Sequence, residues 1–271
     1  MTAVEQLTEL VRRTTSSLPG DVVRALERAL GAERKGSSAS VVISTILENC
    51  ALAAKGKTPL CQDTGTLSFY VDEALRGKVT RKAVNRAVAE ATRLGLLRRN
   101  CIDTASGRSI DDNCGEGTPA VHYCSRRGVT LLMKGGGSEN MSRQYSLPDA
   151  SLGAGRDMEG VRACVLDAVA KAQGYGCAPG ILGVCVGGDR ATGFAVAKEQ
   201  LLRSLDEKPT EFESRLLADA NSLGIGPMGL GGRTTLLGVK IAARPRVPAS
   251  FFVTVAYMCW AARRGSIVVS G

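Results

Sequence analysis

Apolar residues recur at helical spacing over the first part of the chain. This spacing predicts a helix over residues 3–13, a second over Val22–Leu30 with Asp21 as its N-cap, and a third over Ser40–Lys55. The predicted inward face of the third helix consists of Val42, Ile46, Leu47 and Cys50. Residues 1–57 are therefore expected to form a helical N-terminal part.

From residue 58 onward, strand-like and helical patterns are intermixed. Short apolar and β-branched runs predict strands at Leu67–Val71, Val129–Met133, Ile181–Val186, Thr234–Ala242 and Phe251–Tyr257. Helical spacing predicts helices at Thr80–Leu97, Gly160–Gln173, Thr192–Leu205 and Glu211–Ser222. The first of these helices is expected to turn inward a face of Ala83, Ala87, Ala91 and Leu94. With no linker or repeat, we expect an α/β or α+β fold in a single domain over residues 1–271.

Glycine is unusually frequent, with 32 of 271 residues. It concentrates in four loops, at residues 135–137, 174–180, 187–188 and 224–232. Such loops let backbone N–H groups converge on a carboxylate or phosphate, although ordinary tight turns are the alternative. Gly224–Gly229 fits the dinucleotide fingerprint, but Pro227 interrupts it and a predicted helix precedes it, so the fingerprint lacks its required context.

The chain is basic, with a net charge of +9 and only 4% aromatic residues. Because lysine and arginine are dispersed and few aromatic rings are available for base stacking, an acidic partner subunit or an anionic substrate is favoured over nucleic acid. No apolar run approaches the roughly 18 residues that span a bilayer, and the N-terminus lacks the apolar core of a secretory signal. We therefore expect a cytoplasmic protein without membrane contact.

Nine cysteines and a single histidine limit the possible chemistry. In a reducing compartment, clustered cysteines serve as ligands or catalysts more often than as disulfides, and a single histidine argues against a histidine-based zinc site or a conventional catalytic triad. Cys50, Cys164 and Cys185 lie at predicted core positions. Cys101 and Cys114 lie in an irregular polar segment, where they could pair, bind a metal or do neither.

Three other cysteines lie where a thiolate could be reached. Cys61 and Cys177 lie in loops next to proline and glycine, and Cys259 ends a β-rich run. Gln62 and Asp63, directly after Cys61, can form hydrogen bonds and transfer protons. The intervals between the three cysteines match no recognised ligand pattern, so spacing alone does not unite them in a metal site.

Five motifs, taken together and in order, carry a specific resemblance. They are PLCQDTG at Pro59–Gly65, KGGGSEN at Lys134–Asn140, GCAPGILGV at Gly176–Val184, NSLGIGPMGLGG at Asn221–Gly232 and MCWAARR at Met258–Arg264. The chain thereby resembles the α subunit, or N-terminal catalytic region, of the class I fumarate hydratase and L-tartrate dehydratase family over about residues 40–264.

The resemblance implies a [4Fe–4S] cluster in the part of the chain from residue 58 to 271. Its ligands would be Cys61, Cys177 and Cys259, with the fourth iron open to the substrate's oxygens. An open iron is a Lewis acid that polarises a departing hydroxyl group, which is what elimination of water requires.

The resemblance also implies roles for residues near the substrate. Asp63 would be the acid/base group, Gln62 and Asp63 would contact the substrate, and Arg98 would hold a substrate carboxylate. Gly135 and Gly136 would present their backbone to the substrate. The plainer alternatives are that Gln62 and Asp63 cap their loop, that Arg98 is a helix-end cation, and that the glycines only form a turn.

Two departures from the family pattern are visible, and the first of them concerns specificity. Val247 lies twelve residues before Cys259, where the family carries a histidine, and Ala178 follows Cys177 where the family has proline. The remaining family acid/base and carboxylate-binding groups lie in a β region that would be a separate subunit. A hetero-oligomer of α2β2 type with a small anionic carboxylate substrate is therefore expected.

These observations give three ranked hypotheses. The leading one is a hydro-lyase subunit that reversibly adds or removes water on a hydroxy-dicarboxylic acid of the fumarate/malate or tartrate type. The alternative is a non-catalytic or regulatory cluster-binding paralogue with altered substrate, which Val247 favours and the retained Gln62, Asp63 and Arg98 oppose. A basic nucleic-acid-binding protein comes third, because the charge is dispersed.

Overall fold

The computed structural model describes residues 1–269. The helices are α1 (Ala3–Ser16), α2 (Gly20–Ala32), α3 (Ser38–Gly56), α4 (Arg81–Arg93), α5 (Gly136–Asn140), α6 (Met158–Ala172), α7 (Arg190–Gln200) and α8 (Glu211–Ser222). The strands are β1 (Thr66–Asp72), β2 (Cys101–Ile102), β3 (Ser109–Ile110), β4 (Ala120–Cys124), β5 (Val129–Lys134), β6 (Arg143–Ser146), β7 (Gly180–Gly187), β8 (Leu236–Arg244), β9 (Phe252–Met258) and β10 (Arg263–Ile267). Intermixed helices and strands after a helical N-terminal part confirm the predicted fold class. Across this described part, every helix is too short or too polar to cross a bilayer.

The chain divides into two compact units. The first consists of Met1–Pro19, Glu48–Gly136 and the residues from Ala261 onward, and the second consists of Gly20–Leu47 and Gly137–Trp260. Segments of the two units alternate along the sequence, and each unit has its own four-stranded sheet. The single domain over residues 1–271 stays a prediction.

The first unit is built on a mixed sheet with the strand order β10-β5-β1-β4. β1 pairs parallel with β4 and antiparallel with β5, and β5 pairs antiparallel with β10. Helix α1 contacts α4, β5 and β10. Its start is fixed by a capping box between Thr2 and Glu5, and it buries Leu7, Leu10 and Val11 in the core. This core supports the loops at the ends of β1 and β5.

The second unit is built on a mixed sheet with the order β6-β9-β7-β8. β7 pairs parallel with β8 and antiparallel with β9, and every residue of β7 is buried. Burial on both faces explains why the sequence of β7 is continuously apolar or glycine and does not alternate. Helices α6 and α7 contact β9, α7 also contacts β7, and α8 contacts β8. The loop before β7 and the end of β9 thereby receive a rigid support.

The predicted inward face of the third helix was partly wrong. The buried apolar side chains of α3 are Ala39, Ile43, Ile46, Cys50 and Ala53, whereas Val42 and Leu47 are half-buried. Residues that follow one another at intervals of four and three lie on one stripe of a helix. Ile43 therefore belongs to the stripe of Ile46 and Cys50, and Val42 lies beside it.

Two further predicted helices end earlier than expected. Helix α4 ends at Arg93, so Leu94 lies beyond its last turn and is 52% exposed. The buried face of α4 contains Val84 and Val88 together with Ala87 and Ala91, because valine removes more apolar surface from water than alanine. Ala83 is only half-buried. Helix α7 ends at Gln200, five residues before the predicted Leu205.

The strands β4, β6 and β10 were not predicted. All three lie at an edge of their sheet, so each pairs with one neighbour only. An edge strand buries less surface and tolerates polar residues, which removes the apolar alternation from its sequence. Their pairing partners are set by the tertiary fold.

Candidate active site

The PLCQDTG loop is fixed by a close backbone approach within the first unit. Gly65 has φ +70°, and a Cβ atom placed on it would lie 2.2 Å from the carbonyl oxygen of Lys134. Only glycine combines this left-handed conformation with so close a contact. The loop before β1 is therefore held against the end of β5, where the KGGGSEN motif begins.

Asp63 is held on both of its carboxylate oxygens. Its Oδ1 accepts a hydrogen bond from the backbone N–H of Gly65 at 2.9 Å, and its Oδ2 accepts one from the N–H of Gly136 at 2.7 Å. Asp63 is half-buried, whereas Gln62 beside it is exposed. The structure thus brings the predicted acid/base residue together with the second of the two predicted glycines. Gly135, just before it, is buried.

Arg263 fixes the same loop from β10, and sequence reasoning missed it. Its Nη2 donates to the carbonyl oxygen of Asp63 at 2.7 Å, although its side chain is only 1% exposed. Its Nε and Nη1 have no hydrogen-bond partner among the described residues. A buried guanidinium with unsatisfied N–H groups is costly, which distinguishes this arginine from a packing residue. The MCWAARR motif contained it, but only the sheet pairing shows where it points.

Arg98 is joined to the Asp63 loop through its backbone. Its carbonyl oxygen accepts hydrogen bonds from Thr64 Oγ1 at 2.8 Å and from Asn113 Nδ2 at 3.0 Å, while its side chain is exposed. The structure thus places this predicted substrate-binding arginine in the first unit, next to the loop that carries Asp63.

Asn113 holds the segment that follows Arg98, and sequence reasoning missed it as well. Its Oδ1 accepts the N–H groups of Asn100 and Cys101 at 3.0 and 3.1 Å, and its Nδ2 also donates to Thr92 Oγ1 at 3.1 Å. Asn113 is 3% exposed and has φ +60°, a conformation that asparagine tolerates better than most residues. A buried carboxamide with four partners is a structural junction.

A small cavity of about 260 Å³ lies at this place in the first unit. Its lining includes Asp63, Asn100, Cys101, Asn113, Thr118 and Gly136. Pockets for drug-sized ligands measure roughly 300–1,000 Å³, so this cavity suits a smaller molecule. It presents one carboxylate, two carboxamides and a thiol.

In the second unit, Cys177 and Cys259 are held near each other by backbone contacts. The N–H of Trp260 donates to the carbonyl oxygen of Cys177 at 3.2 Å, and the N–H of Cys259 donates to Ser138 Oγ at 3.1 Å. Cys177 is exposed and has φ +49°, a left-handed conformation that is rare for side chains other than glycine, asparagine and aspartate. Such strained positions concentrate at functional sites.

The Tyr257 ring packs against the loop that carries Cys177. A Cβ atom on Gly176 or Gly180 would lie 2.5 or 2.6 Å from its ring, so only glycine fits at both positions. Burial raises the pKa of the Tyr257 hydroxyl, and the nearby Cys259 and Cys177 raise it further. The hydroxyl is buried and has no hydrogen-bond partner in the described residues. It is therefore an available donor close to both cysteines.

The remaining cysteines fall into the expected groups. Cys50, Cys164 and Cys185 are buried, as predicted, and burial raises the pKa of Cys50 to about 11 and that of Cys164 to about 12. Cys101 and Cys114 are half-buried reduced thiols. Burial raises the pKa of Cys114 to about 11, with smaller contributions from Asp112 and Cys101.

Comparison with protein families decides the relationship. The family model described as fumarate hydratase matches residues 4–268 of the chain. The chain belongs to the fumarate hydratase family. The match covers both units and includes all five motifs.

Three relatives within or near this family show how far the likeness extends. A protein of Geobacillus stearothermophilus named as a class I fumarate hydratase is 44% identical over 274 residues, which cover 96% of this chain and 53% of the relative. The chain thus spans about half the length of that protein. Proteins named as L(+)-tartrate dehydratase subunit alpha, from Methanocaldococcus jannaschii and Escherichia coli strain K12, are 32% and 30% identical. These matches cover 94% and 98% of this chain, and 93% and 92% of the relatives.

The three cysteines predicted as cluster ligands are divided between the units of this fumarate hydratase family member. Cys61 lies half-buried in the first unit, and Cys177 and Cys259 lie in the second. Within residues 1–269, no group of three or more histidine, cysteine, aspartate or glutamate side chains is arranged to hold a metal ion. A shared cluster of all three cysteines stays a prediction.

Val247 lies in the loop between β8 and β9 of the second unit. Its side chain is 64% exposed, and its carbonyl oxygen accepts a hydrogen bond from the N–H of Ser250 at 3.2 Å. Valine offers neither a proton nor a polar contact at the position where the family histidine is expected.

Proposed function

We propose that this chain is the α-type catalytic part of a hydro-lyase that reversibly adds or removes water on a small hydroxy-dicarboxylic acid. The fumarate/malate and tartrate types are the candidates, in keeping with the names of the relatives. The observation that carries the proposal is the Asp63 carboxylate, which Gly65 and Gly136 hold at the edge of a small cavity. A carboxylate with a fixed orientation beside a ligand-sized space is suited to proton transfer.

We propose that Cys61, Cys177 and Cys259 hold a [4Fe–4S] cluster with one iron lacking a protein ligand. None of these three cysteines is buried, in contrast to Cys50, Cys164 and Cys185. The unsatisfied O–H donor of Tyr257, in the second unit with Cys177 and Cys259, also fits such a group, because hydrogen-bond donors stabilise the sulfur atoms of a cluster. When bound, the cluster would supply a Lewis-acidic iron that polarises the substrate hydroxyl.

The chain's own residues would orient the substrate and move the proton. Asp63 would exchange a proton with the departing or entering water, and the exposed Arg98 guanidinium would bind a substrate carboxylate. Gln62, exposed beside Asp63, would provide a polar contact. Because the N–H of Gly136 already donates to Asp63, this group would orient the acid/base residue, leaving Gly135 and the other backbone atoms of Gly136 for the substrate.

We propose a β partner of the same enzyme family and an α2β2 assembly. Two relatives are named as alpha subunits, and the chain spans only 53% of the Geobacillus protein. A cytoplasmic location is proposed because cysteine ligands of a cluster require a reducing compartment. Because Val247 stands where the family has a histidine, the alternative is a regulatory paralogue with altered substrate, and the test below distinguishes it from the hydro-lyase.

The test is anaerobic purification of the chain together with a β-type partner. We expect a brown complex with about four irons per chain that hydrates fumarate or dehydrates malate or tartrate and loses iron and activity in air. A colourless complex whose three predicted ligand cysteines are all alkylated by iodoacetamide would overturn the proposal. An iron-loaded complex without turnover on any of these acids would instead support the regulatory alternative.

A further inference from the structure

The cavity of the first unit contains a polar residue that none of the predicted roles includes. Asn100 lines the cavity together with Asp63, and its side chain is exposed to the solvent. Among the described residues that line the cavity, the only charged side chain is the Asp63 carboxylate, which would repel an anionic ligand. A neutral N–H donor at this place would offset part of that repulsion.

The backbone of Asn100 is held rigidly. Its N–H and that of Cys101 both donate to the carboxamide of the buried Asn113, and the carbonyl oxygen of Arg98 accepts from the same carboxamide. Three backbone groups within four residues therefore share one partner. The Arg98 carbonyl oxygen also accepts from Thr64 Oγ1 at 2.8 Å, which ties this segment to the loop that carries Asp63.

The side chain of Asn100 is held only loosely. The distance from its Nδ2 to Asp63 Oδ1 is 3.5 Å, beyond the 2.7–3.2 Å of a normal N–H···O hydrogen bond. A fixed backbone that carries a weakly bonded carboxamide is what a ligand contact requires, since little is lost when the amide turns to a new acceptor.

We propose that Asn100 is a specificity-determining contact of the substrate cavity and that Asn113 is its positioning residue. The Asn100 carboxamide donates to an oxygen of a small dicarboxylate, and Asn113 keeps it beside Asp63. This inference rests on the proposed function, because it assigns the substrate of the same site to this cavity.

Cys101 provides a test that does not depend on activity. Its thiol lines the cavity and is half-buried, so a bound dicarboxylate would shield it from a small reagent. In the anaerobic complex, saturating L-malate, fumarate or L-tartrate should slow the alkylation of Cys101 by iodoacetamide at least fivefold. Half-buried Cys124 on β4, outside the cavity lining, is the matched control and should react equally with and without the acid.

The protection should require Asn100. In the Asn100→Ala complex, we expect Cys101 protection to need about three- to tenfold more dicarboxylate, the loss expected for one hydrogen bond. KM should rise by the same factor with kcat changed less than twofold.

Asn113→Ala should reduce both protection and kcat, and Asn113→Asp, which keeps the two accepted bonds, should restore part of each. Ser106→Ala at the exposed tip of the β2–β3 hairpin should match the unchanged protein.

The outcomes separate this inference from the proposed function. Turnover with an unchanged KM in Asn100→Ala, or equal alkylation of Cys101 with and without dicarboxylate, would overturn the role of Asn100 and leave the hydro-lyase proposal standing. A complex that shows dicarboxylate-dependent protection but no turnover would support the cavity contact and contradict the hydro-lyase proposal.

Discussion

The two units hold their candidate functional residues in place in different ways. In the first unit, polar groups fix one another: the Asp63 carboxylate accepts two backbone N–H bonds, and Asn113 makes four hydrogen bonds. In the second unit, close packing of glycine against the Tyr257 ring forms the support, and the Tyr257 hydroxyl has no partner in the described residues.

This difference indicates two kinds of task. A carboxylate with both oxygens bonded is oriented before any ligand arrives, as proton transfer requires. A strained cysteine beside an unsatisfied hydroxyl is suited to a group that brings its own acceptors. Under the proposed function, the Asp63 loop of the first unit would serve substrate chemistry, and Cys177 and Cys259 of the second unit would help Cys61 to hold the cofactor.

The largest expected effect tests the oriented carboxylate of the first unit. Asp63→Asn keeps the size of the side chain but removes its proton-transfer ability, so kcat should fall by about 10²- to 10⁴-fold. The iron content and the visible spectrum of the anaerobic complex should stay unchanged, because the cysteines are untouched. Steady-state kinetics and iron analysis measure the two quantities.

Asp103→Asn is the matched control for this change, because Asp103 lies at the tip of the β2–β3 hairpin and its carboxylate accepts hydrogen bonds from Ser106 in the same turn. It should leave kcat within a factor of two. Retention of more than a tenth of the turnover in Asp63→Asn would remove Asp63 from the acid/base role.

The second-largest expected effect tests whether the contact between Gly65 and the Lys134 backbone holds the PLCQDTG loop of the first unit. Gly65→Ala introduces a Cβ atom 2.2 Å from the Lys134 carbonyl oxygen, at φ +70°. We expect the free energy of unfolding to fall by about 3 kcal/mol or more, the sum of strain and displaced backbone. Chemical denaturation of the chain measures it.

Gly95 provides the comparison, since it has φ +73° but open space around its Cβ position. Gly95→Ala should cost only about 1 kcal/mol. Equal losses for the two variants would show that the approach of Gly65 to Lys134 does not hold the loop.

The smallest effect tests the unsatisfied hydroxyl of the second unit. Tyr257→Phe removes a buried group without a partner, so the iron-free chain should keep its free energy of unfolding within about 0.5 kcal/mol or gain slightly. Tyr145→Phe removes a hydroxyl that donates to Asp167 Oδ2 at 2.7 Å and should cost about 1–2 kcal/mol. A loss of stability in Tyr257→Phe as large as that in Tyr145→Phe would mean that the Tyr257 hydroxyl is hydrogen-bonded, as the Tyr145 hydroxyl is.

Much of the fold could be predicted because local signals and tertiary structure agree. The helix over Glu211–Ser222 was predicted to the residue, since Thr210 and Glu213 form a capping box at its start. The buried strands β1, β5 and β7 carry continuous apolar runs and were found within one or two residues. The edge strands β4, β6 and β10 were missed because they carry no clear apolar pattern, whereas the edge strand β8 was predicted from its apolar run.

From the sequence, only those site residues that lie in a recognisable motif could be predicted. Asp63 and Gly136 lie in two motifs, and the structure joins them by a hydrogen bond. Asn113 and Arg263 were missed because their role depends on tertiary hydrogen bonds: Asn113 bonds to residues 12–21 positions earlier, and Arg263 bonds to Asp63, 200 residues earlier. Burial of a charged or amide side chain, which sequence cannot show, is the signal that reveals them.

The hydrogen bonds of Asn113 have a consequence for the hairpin that precedes it. They tie the base of the loop that contains β2 and β3, while residues 103–109 at its tip are exposed. Because the base is closed independently of the tip, the loop can change in length without disturbing the residues beside Asp63. We therefore expect an affinity tag or a fluorescent label inserted at this tip to leave the hydrogen bonds of Asn113 intact.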